Sequence, residues 1–349
     1  MEASSTLQGE NAAAPTTVHS IVSGSRLAGN DGVHEAVSPS TGAPIQRYSL
    51  LDASQAGRAV EAAANAFPAW TATPFAERRA ILDRARALIL EEGETLALLI
   101  AREQGKPMAE AHLAEILPAL DHLKHLARTG EATLAARETE PTLFLIGHKQ
   151  GRIEFASIGP VLIITPWNYP FSIPITGIGA ALMAGNTIVL KPAPATTLIG
   201  LAIGDLFTRA GLPKGVLNVV ACTDAVAAAL VSDARLRKVL FTGSVPTGRR
   251  IMASAASQGT SVTLELGGKD PAVVCADADL ERAASGIVWA AFLNAGQTCA
   301  SVERVYVEEA VADAFIAKVI EKTKAIRVGD PLDPNTDMGP LTLERQRAI

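Results

Sequence analysis

Cys299 lies in Asn294-Ala295-Gly296-Gln297-Thr298-Cys299-Ala300, 34 residues after Glu265 in Leu264-Glu265-Leu266-Gly267-Gly268-Lys269. A thiol in a polar, glycine-bearing stretch and a carboxylate beside a Gly-Gly turn have the types needed for covalent catalysis, one as nucleophile and the other as base. A thiol attacks as its thiolate, so it needs a lowered pKa or a base nearby. The chain has two other cysteines. Cys275 ends the apolar run Ala272-Val273-Val274 and Cys222 follows Val219-Val220-Ala221, which are settings for small core residues.

Three further segments hold groups suited to an oxyanion or a phosphate. Asn168, in Thr165-Pro166-Trp167-Asn168-Tyr169-Pro170, can aim a side-chain amide at developing negative charge. Lys191, in Lys191-Pro192-Ala193-Pro194, can reach ribose hydroxyls or a phosphate. Phe241-Thr242-Gly243-Ser244-Val245-Pro246-Thr247-Gly248 runs into a helical pattern, so its backbone N–H groups and the helix dipole favour an anion. Each has a plainer reading. Gly243 and Gly248 can simply shape a turn, Lys191 can be a solvated loop charge, and Asn168 can cap a helix. Glu265 can pair with Lys269, and Cys299 can be a small core residue.

The elements that must position these groups follow from periodicity. Pro44 to Tyr48 reads as a strand and Ser54 to Ala66 as a helix punctuated by Pro68 and Pro74. Phe75 to Glu92 is an amphipathic helix with Ile81, Leu82, Ala85, Leu88 and Ile89 on one face, and Thr95–Gln104 and Met108–Arg128 continue the helical layer. Leu143–Ile146 and Ile153–Phe155 read as a hairpin. Strands and helices then alternate four times from Val161 to Ser257, the pattern of a parallel sheet covered on both faces. Val262–Leu266 and Ala272–Cys275 are further strands that open a second region. Ligands of such sheets bind beyond the carboxyl ends of the strands, where Thr165, Lys191 and Gly243 fall.

Composition bounds the rest. The chain has 349 residues, 48% hydrophobic and 19% charged, with a formal net charge of −5. It describes globular protein with ample core and gives no basic footprint for nucleic acid. Widely spaced cysteines offer neither a disulfide framework nor a metal pair and fit a reducing, cytoplasmic setting. His122 and His125 read as a solvated helix face, so no metal site is expected. Residues 1–20 read as a disordered tail without signal-peptide character. The stretch from Phe155 to Leu190 carries no charge over 36 positions, yet its four prolines argue against a membrane span.

Taken together in order, the blocks resemble the aldehyde dehydrogenase superfamily. They are Thr165–Pro170, Ala184-Gly185-Asn186-Thr187, Lys191-Pro192, Gly211-Leu212-Pro213, Phe241–Ser244, Leu264–Lys269 and Asn294–Cys299, with the weaker Glu103-Gln104-Gly105-Lys106-Pro107 upstream. The resemblance implies an α/β fold: a Rossmann-like parallel-sheet cofactor domain (21–130 and 157–262), an oligomerisation hairpin (131–156) and an incomplete second α/β catalytic domain (263–349). It implies oxidation of an aldehyde to a carboxylic acid with NAD or NADP. Cys299 would add to the aldehyde, with Asn168 holding the oxyanion. Hydride would pass to the nicotinamide, and Glu265 would activate water against the thioester. Cofactor contacts are implied at Thr165, Pro166, Trp167, Lys191, Pro194, Gly243, Ser244, Gly248 and Leu266. Details lean toward the semialdehyde and betaine-aldehyde branch, and a homodimer or homotetramer is implied for the complete protein, with no membrane or nucleic-acid partner.

Three departures from the family pattern carry expectations. Pro194 stands where NAD-preferring members often carry a glutamate that accepts from the ribose hydroxyls, which makes NADP use a live expectation. Gly177 stands where many members have a lysine. The chain ends at Ile349 without the Glu-x-Phe-Gly-Pro block into which the family usually continues, so it reads as a partial chain that is unstable or silent when expressed alone. The alternatives are an inactive partial chain and a non-redox thiol esterase.

Overall fold

The computed structural model describes residues 16–139 and 149–348. Short strands open it: β1 (Thr17–Val18), β2 (Ser20–Val22), β3 (Ser25–Leu27), β4 (Val33–Val37) and β5 (Pro44–Ser49). Residues 16–20, inside the stretch expected to be a disordered tail, are structured; Ser20 is fully buried and its hydroxyl accepts from the Ala221 N–H. Residues 1–15 lie outside the described residues. A helical layer follows, made of α1 (Ala53–Thr71), α2 (Phe75–Glu91), α3 (Gly93–Gln104), α4 (Met108–Ala111) and α5 (Leu117–Thr133), with a π-helical turn, His112–Ile116, between the last two.

Asp52 and Gln55 form a capping box that starts α1, satisfying N–H groups that helix ends otherwise leave open. The helix runs through Pro68, where the sequence suggested an interruption. Proline there forfeits one intrahelical hydrogen bond, but burial of Trp70 and a bond from the Arg78 guanidinium to the Thr71 carbonyl hold the last turn in place.

An antiparallel pair, β6 (Arg137–Thr139) with β7 (Gly151–Ile153), leads to the main sheet. The expected strand at Leu143–Ile146 lies outside the described residues. The alternation that follows is β8 (Pro160–Ile164), α6 (Ser172–Met183), β9 (Thr187–Lys191), α7 (Thr197–Arg209), β10 (Leu217–Val219), α8 (Asp224–Val231), β11 (Lys238–Thr242), α9 (Val245–Ala256) and β12 (Ser261–Glu265). The sheet order is β12-β11-β8-β9-β10-β2-β3. Its first five strands are parallel, while β2 joins β10 and β3 joins β2 antiparallel.

One element differs from the sequence reading. Ser261–Glu265 pairs residue for residue with Lys238–Thr242 and forms the edge of the first sheet; it does not open the second region. Pairing between strands is a long-range choice that the strand's own residues leave open.

Every residue of β8 and β9 is buried, and successive side chains of a strand point to opposite faces. Val161, Ile163, Ile188 and Leu190 accordingly join a core with α2, α5, α6 and α7, whereas Leu162, Ile164 and Val189 join one with α1, α8 and α9. The uncharged stretch from Phe155 to Leu190 is thus strand, loop, helix and strand. No helix of the described residues is long and apolar enough to cross a membrane.

The remaining chain builds a smaller layer. β13 (Asp270–Val274) pairs parallel with β14 (Val302–Val307), covered by α10 (Leu280–Phe292) and α11 (Glu309–Lys324). Its buried apolar cluster is small: Val274, Ala284 and Phe315.

Candidate active site

In the parallel sheet the chain crosses from β8 outward to β9 and β10, then returns to build β11 and β12 on the other side. The strand order thus reverses between β8 and β11, where ligands of open α/β sheets bind. A cavity of about 300 Å³ sits at the carboxyl ends of these strands. Thr165, Pro166, Trp167, Lys191, Pro194, Gly243 and Ser244 line it, together with Asp224, Arg250 and Arg345. Seven of the nine cofactor contacts implied by the sequence therefore share one hollow.

The other two, Gly248 and Leu266, pack on each other beside it. A Cβ on Gly248 would come within 2.7 Å of the Leu266 side-chain tip, so any larger residue there would push that leucine aside. Ser244 precedes the first turn of α9 in an extended conformation and its hydroxyl bonds Thr247, leaving the helix N-terminus without a side-chain cap. Free N–H groups at that end, beside Lys191, suit the diphosphate of a dinucleotide. Gly177 lies on α6 against Ile163 and Leu240, with ordinary contact distance for an added Cβ.

Lys191 is only 3% exposed, and its ammonium donates to the Asp224 carboxylate at 2.8 Å. That partner was not anticipated from the sequence. The bond to Lys191 holds the Asp224 carboxyl below the usual carboxylate range, helped by the charges of Arg345 and Arg250.

The second half of the site is stitched around Asn168. Its amide nitrogen donates to the Gln297 carbonyl at 2.8 Å, and the hydroxyls of Tyr169 and Thr298 meet at 2.8 Å. Asn294 returns a bond to the Asn168 carbonyl. These contacts bring the Asn168 loop to within two residues of Cys299, whose residue is exposed and whose thiol is free. A Cβ on Gly268 would lie 3.2 Å from the Cys299 carbonyl oxygen, so the loop carrying Glu265 abuts the loop carrying Cys299. Lys269 pairs with Glu303, and among the described residues the exposed Glu265 carboxylate has no ion-pair or hydrogen-bond partner. Cys222 is buried in the core, and burial pushes its thiol up to about 11. Cys275 is exposed rather than a core residue, because β13 has a solvent side.

The approach to Cys299 is conformationally strained. Asn294, Ala295 and Gly296 all have positive φ, at 56°, 56° and 74°. Two non-glycine residues in the left-handed region cost about 1–3 kcal/mol each and persist only where surroundings impose them. Here Glu110 accepts the Asn294 N–H, Gln104 donates to the Asn294 side-chain oxygen, and Asn294 donates to Asn168. Burial pushes the Glu110 carboxyl up to about 7, against the opposing pull of the Asn294 N–H and Lys106. Tyr169 is pushed up to about 12, chiefly by burial, so its phenol stays protonated at neutral pH.

Sequence reasoning missed the supports of these loops. Lys106 and Glu115 are fully buried and paired at 2.6 Å. The Lys106 ammonium also donates to the Asn168 carbonyl and sits 3.9 Å from the Tyr169 ring centre, a cation–π arrangement. Glu115 accepts the N–H groups of Phe171 and Ser172 at the start of α6. Glu115, not Asn168, thus caps that helix. Glu103 does the same for α7 through Leu198 and Ile199. The available signal was Glu103 and Lys106 inside the Glu103-Gln104-Gly105-Lys106-Pro107 block, and Glu115 as an ionisable residue among Leu113, Ala114, Ile116 and Leu117.

The model of the aldehyde dehydrogenase family matches residues 27–348. Betaine aldehyde dehydrogenase of Cereibacter sphaeroides (strain ATCC 17029 / ATH 2.4.9) is 41% identical over 308 residues. The match covers 88% of this chain but 62% of the relative, so the chain spans less than two thirds of that protein's length. Among solved structures, an NADP-dependent enzyme of E. coli superposes with a TM-score of 0.91 at 36% identity, covering 95% of this chain and 68% of the other. PnpE from Pseudomonas sp. WBC-3 gives 0.90 at 35% identity, covering 95% of this chain and 68% of the other, and PnpE in complex with nicotinamide adenine dinucleotide gives 0.90 with 95% and 67%.

Proposed function

The chain belongs to the aldehyde dehydrogenase family, and from that premise we propose that the protein oxidises an aldehyde to a carboxylic acid with NAD+ or NADP+ through Cys299. The observation that carries this is the junction of the Asn168 and Cys299 loops: the Asn168 amide bonds the carbonyl two residues before the thiol, beside the Glu265 loop. Cys299 attacks the aldehyde carbon, and the second N–H of the Asn168 amide is free to turn toward the resulting oxyanion. The bound cofactor supplies a hydride acceptor. Glu265, exposed and unpaired among the described residues, takes a proton from the water that attacks the Cys299 thioester, and the thiolate leaves.

The cavity lining fits a dinucleotide: Lys191 at the adenosine ribose, Gly243, Ser244 and the α9 N-terminus at the diphosphate, and Thr165, Pro166, Trp167 and Pro194 as walls, with Gly248 and Leu266 setting the spacing. The relative at 41% identity makes betaine aldehyde the first substrate to try. The same reading includes a homo-oligomer assembled through the segment 131–156, where Ile153 and Phe155 are exposed.

The test is aldehyde-dependent formation of NADH or NADPH. Cys299→Ala should abolish it, while Glu265→Gln should give a first-turnover burst and then stall at deacylation. Unchanged steady-state turnover in Cys299→Ala would overturn the reading.

A further inference from the structure

We propose that Asp224 selects between NAD+ and NADP+, by holding the Lys191 ammonium and placing a carboxylate where a 2′-phosphate would lie. The inference rests on the reading of the cavity as a cofactor cleft and deepens it.

Lys191 reaches the cavity from the end of β9, and among the described residues its ammonium bonds Asp224, at 2.8 Å. The lysine side chain is 4% exposed and that of Asp224 is 86% exposed. The ammonium is therefore fixed below the surface, with the carboxylate on its open side. Pro194, at the neighbouring turn, has no side-chain acceptor for ribose hydroxyls. Asp224 restores one from a different element, the first turn of α8, which Thr223 caps. A carboxylate can accept from both hydroxyls of an unmodified ribose, but against a phosphate it meets like charge.

The surroundings set the direction of the effect. Among the described residues Asp224 is the only acidic side chain lining the cavity, whereas Lys191, Arg250 and Arg345 are all basic. Without its carboxylate the hollow would present three cations and no anion, and Lys191 would be released to bind phosphate. An acidic residue at the start of α8 also favours the helix dipole. That role accounts for its place in the helix but not for its bond to a buried lysine on the adjacent strand.

The experiment measures dissociation constants of NAD+ and NADP+ by titration calorimetry, without aldehyde, for the whole chain, Asp224→Asn and Asp224→Asn/Lys191→Ala. Asp224→Asn should bind NADP+ about tenfold more tightly, as expected for relief of one partly screened like-charge contact. Its NAD+ affinity should hold or fall. The gain should vanish in the double variant. NADP+ affinity unchanged or weakened in Asp224→Asn, with NAD+ still bound, would overturn the role of Asp224 alone. Failure of both dinucleotides to bind any of the three proteins would overturn the cleft reading together with it.

Discussion

Asn168 spends one amide hydrogen on Gln297 and receives two donors at its carbonyl, Lys106 and Asn294. Its position is therefore set by residues remote from it in the chain. Glu103 is a comparable case on the cofactor side. It is 1% exposed, and burial pushes its carboxyl up to about 8, although the N–H groups of Leu198 and Ile199 pull it down. A carboxyl whose folded pKa lies above its unfolded value of about 4.3 contributes most stability below that value. The contribution is lost as pH rises through about 8. Glu103→Gln does not titrate, so wild-type protein should lose stability relative to this variant between about pH 5 and pH 9. Urea midpoints across that range check it; parallel pH curves for the two proteins would contradict it. The candidacy of Cys299, Glu265 and Asn168 was legible as residue types at those spacings, and the structure brings their loops together. The partners of their supports were not, because the type of Lys106, Glu103 or Glu115 does not say which distant group it meets.

At the scale of elements, two helices follow the loops that carry the site, and each begins on a carboxylate borrowed from the N-terminal layer: α6 on Glu115 and α7 on Glu103. Glu115 sits in the π-helical turn between α4 and α5, a distortion that recurs at functional sites and here places the carboxylate between Lys106 and α6. Removing one partner of a buried pair leaves an uncompensated charge. Lys106→Met should cost about 3–5 kcal/mol, measured as a lowered denaturation midpoint. Lys106→Met/Glu115→Leu should recover only part of it, since the N–H groups of Phe171 and Ser172 then lose their acceptor. Tyr48 makes a smaller tie of the same kind: its hydroxyl donates to the Pro194 carbonyl at 2.8 Å. Tyr48→Phe should cost about 1–3 kcal/mol and loosen the turn beside Lys191, visible as faster amide exchange at Ala195 and Thr196. Strand and helix types were readable from apolar runs and period. The π turn and the passage of α1 through Pro68 were not, because tertiary contacts hold both against local preference.

Across the whole molecule, stability is unevenly spread. The β8 and β9 strands are buried on both faces between two large apolar clusters, whereas the layer from Asp270 onward buries Val274, Ala284 and Phe315. That layer also exposes Val273, Trp289, Tyr306 and Val328. Regions with few buried apolar contacts open at lower free energy. Hydrogen exchange should therefore be fastest across residues 270–348 and slowest in β8 and β9, with Phe315→Ala accelerating the former alone; uniform protection would contradict this. Buried Leu→Ala changes in the sheet, such as Leu162→Ala, should instead lower global stability by about 2–5 kcal/mol.

The sequence by itself determined the alternating α/β architecture, because burial on both faces demands apolar strands and covering helices leave a fixed period. It also determined the family and singled out the residues proposed for the chemistry, since a nucleophile, a base and an amide donor must be those residue types wherever they fold. The tertiary structure alone decided that Ser261–Glu265 is the edge of the first sheet, that Lys191 answers to Asp224, and that Lys106 and Glu115 hold the Asn168 loop. Each of these is a pairing between groups distant in the chain, and its partner is chosen by packing and charge in three dimensions.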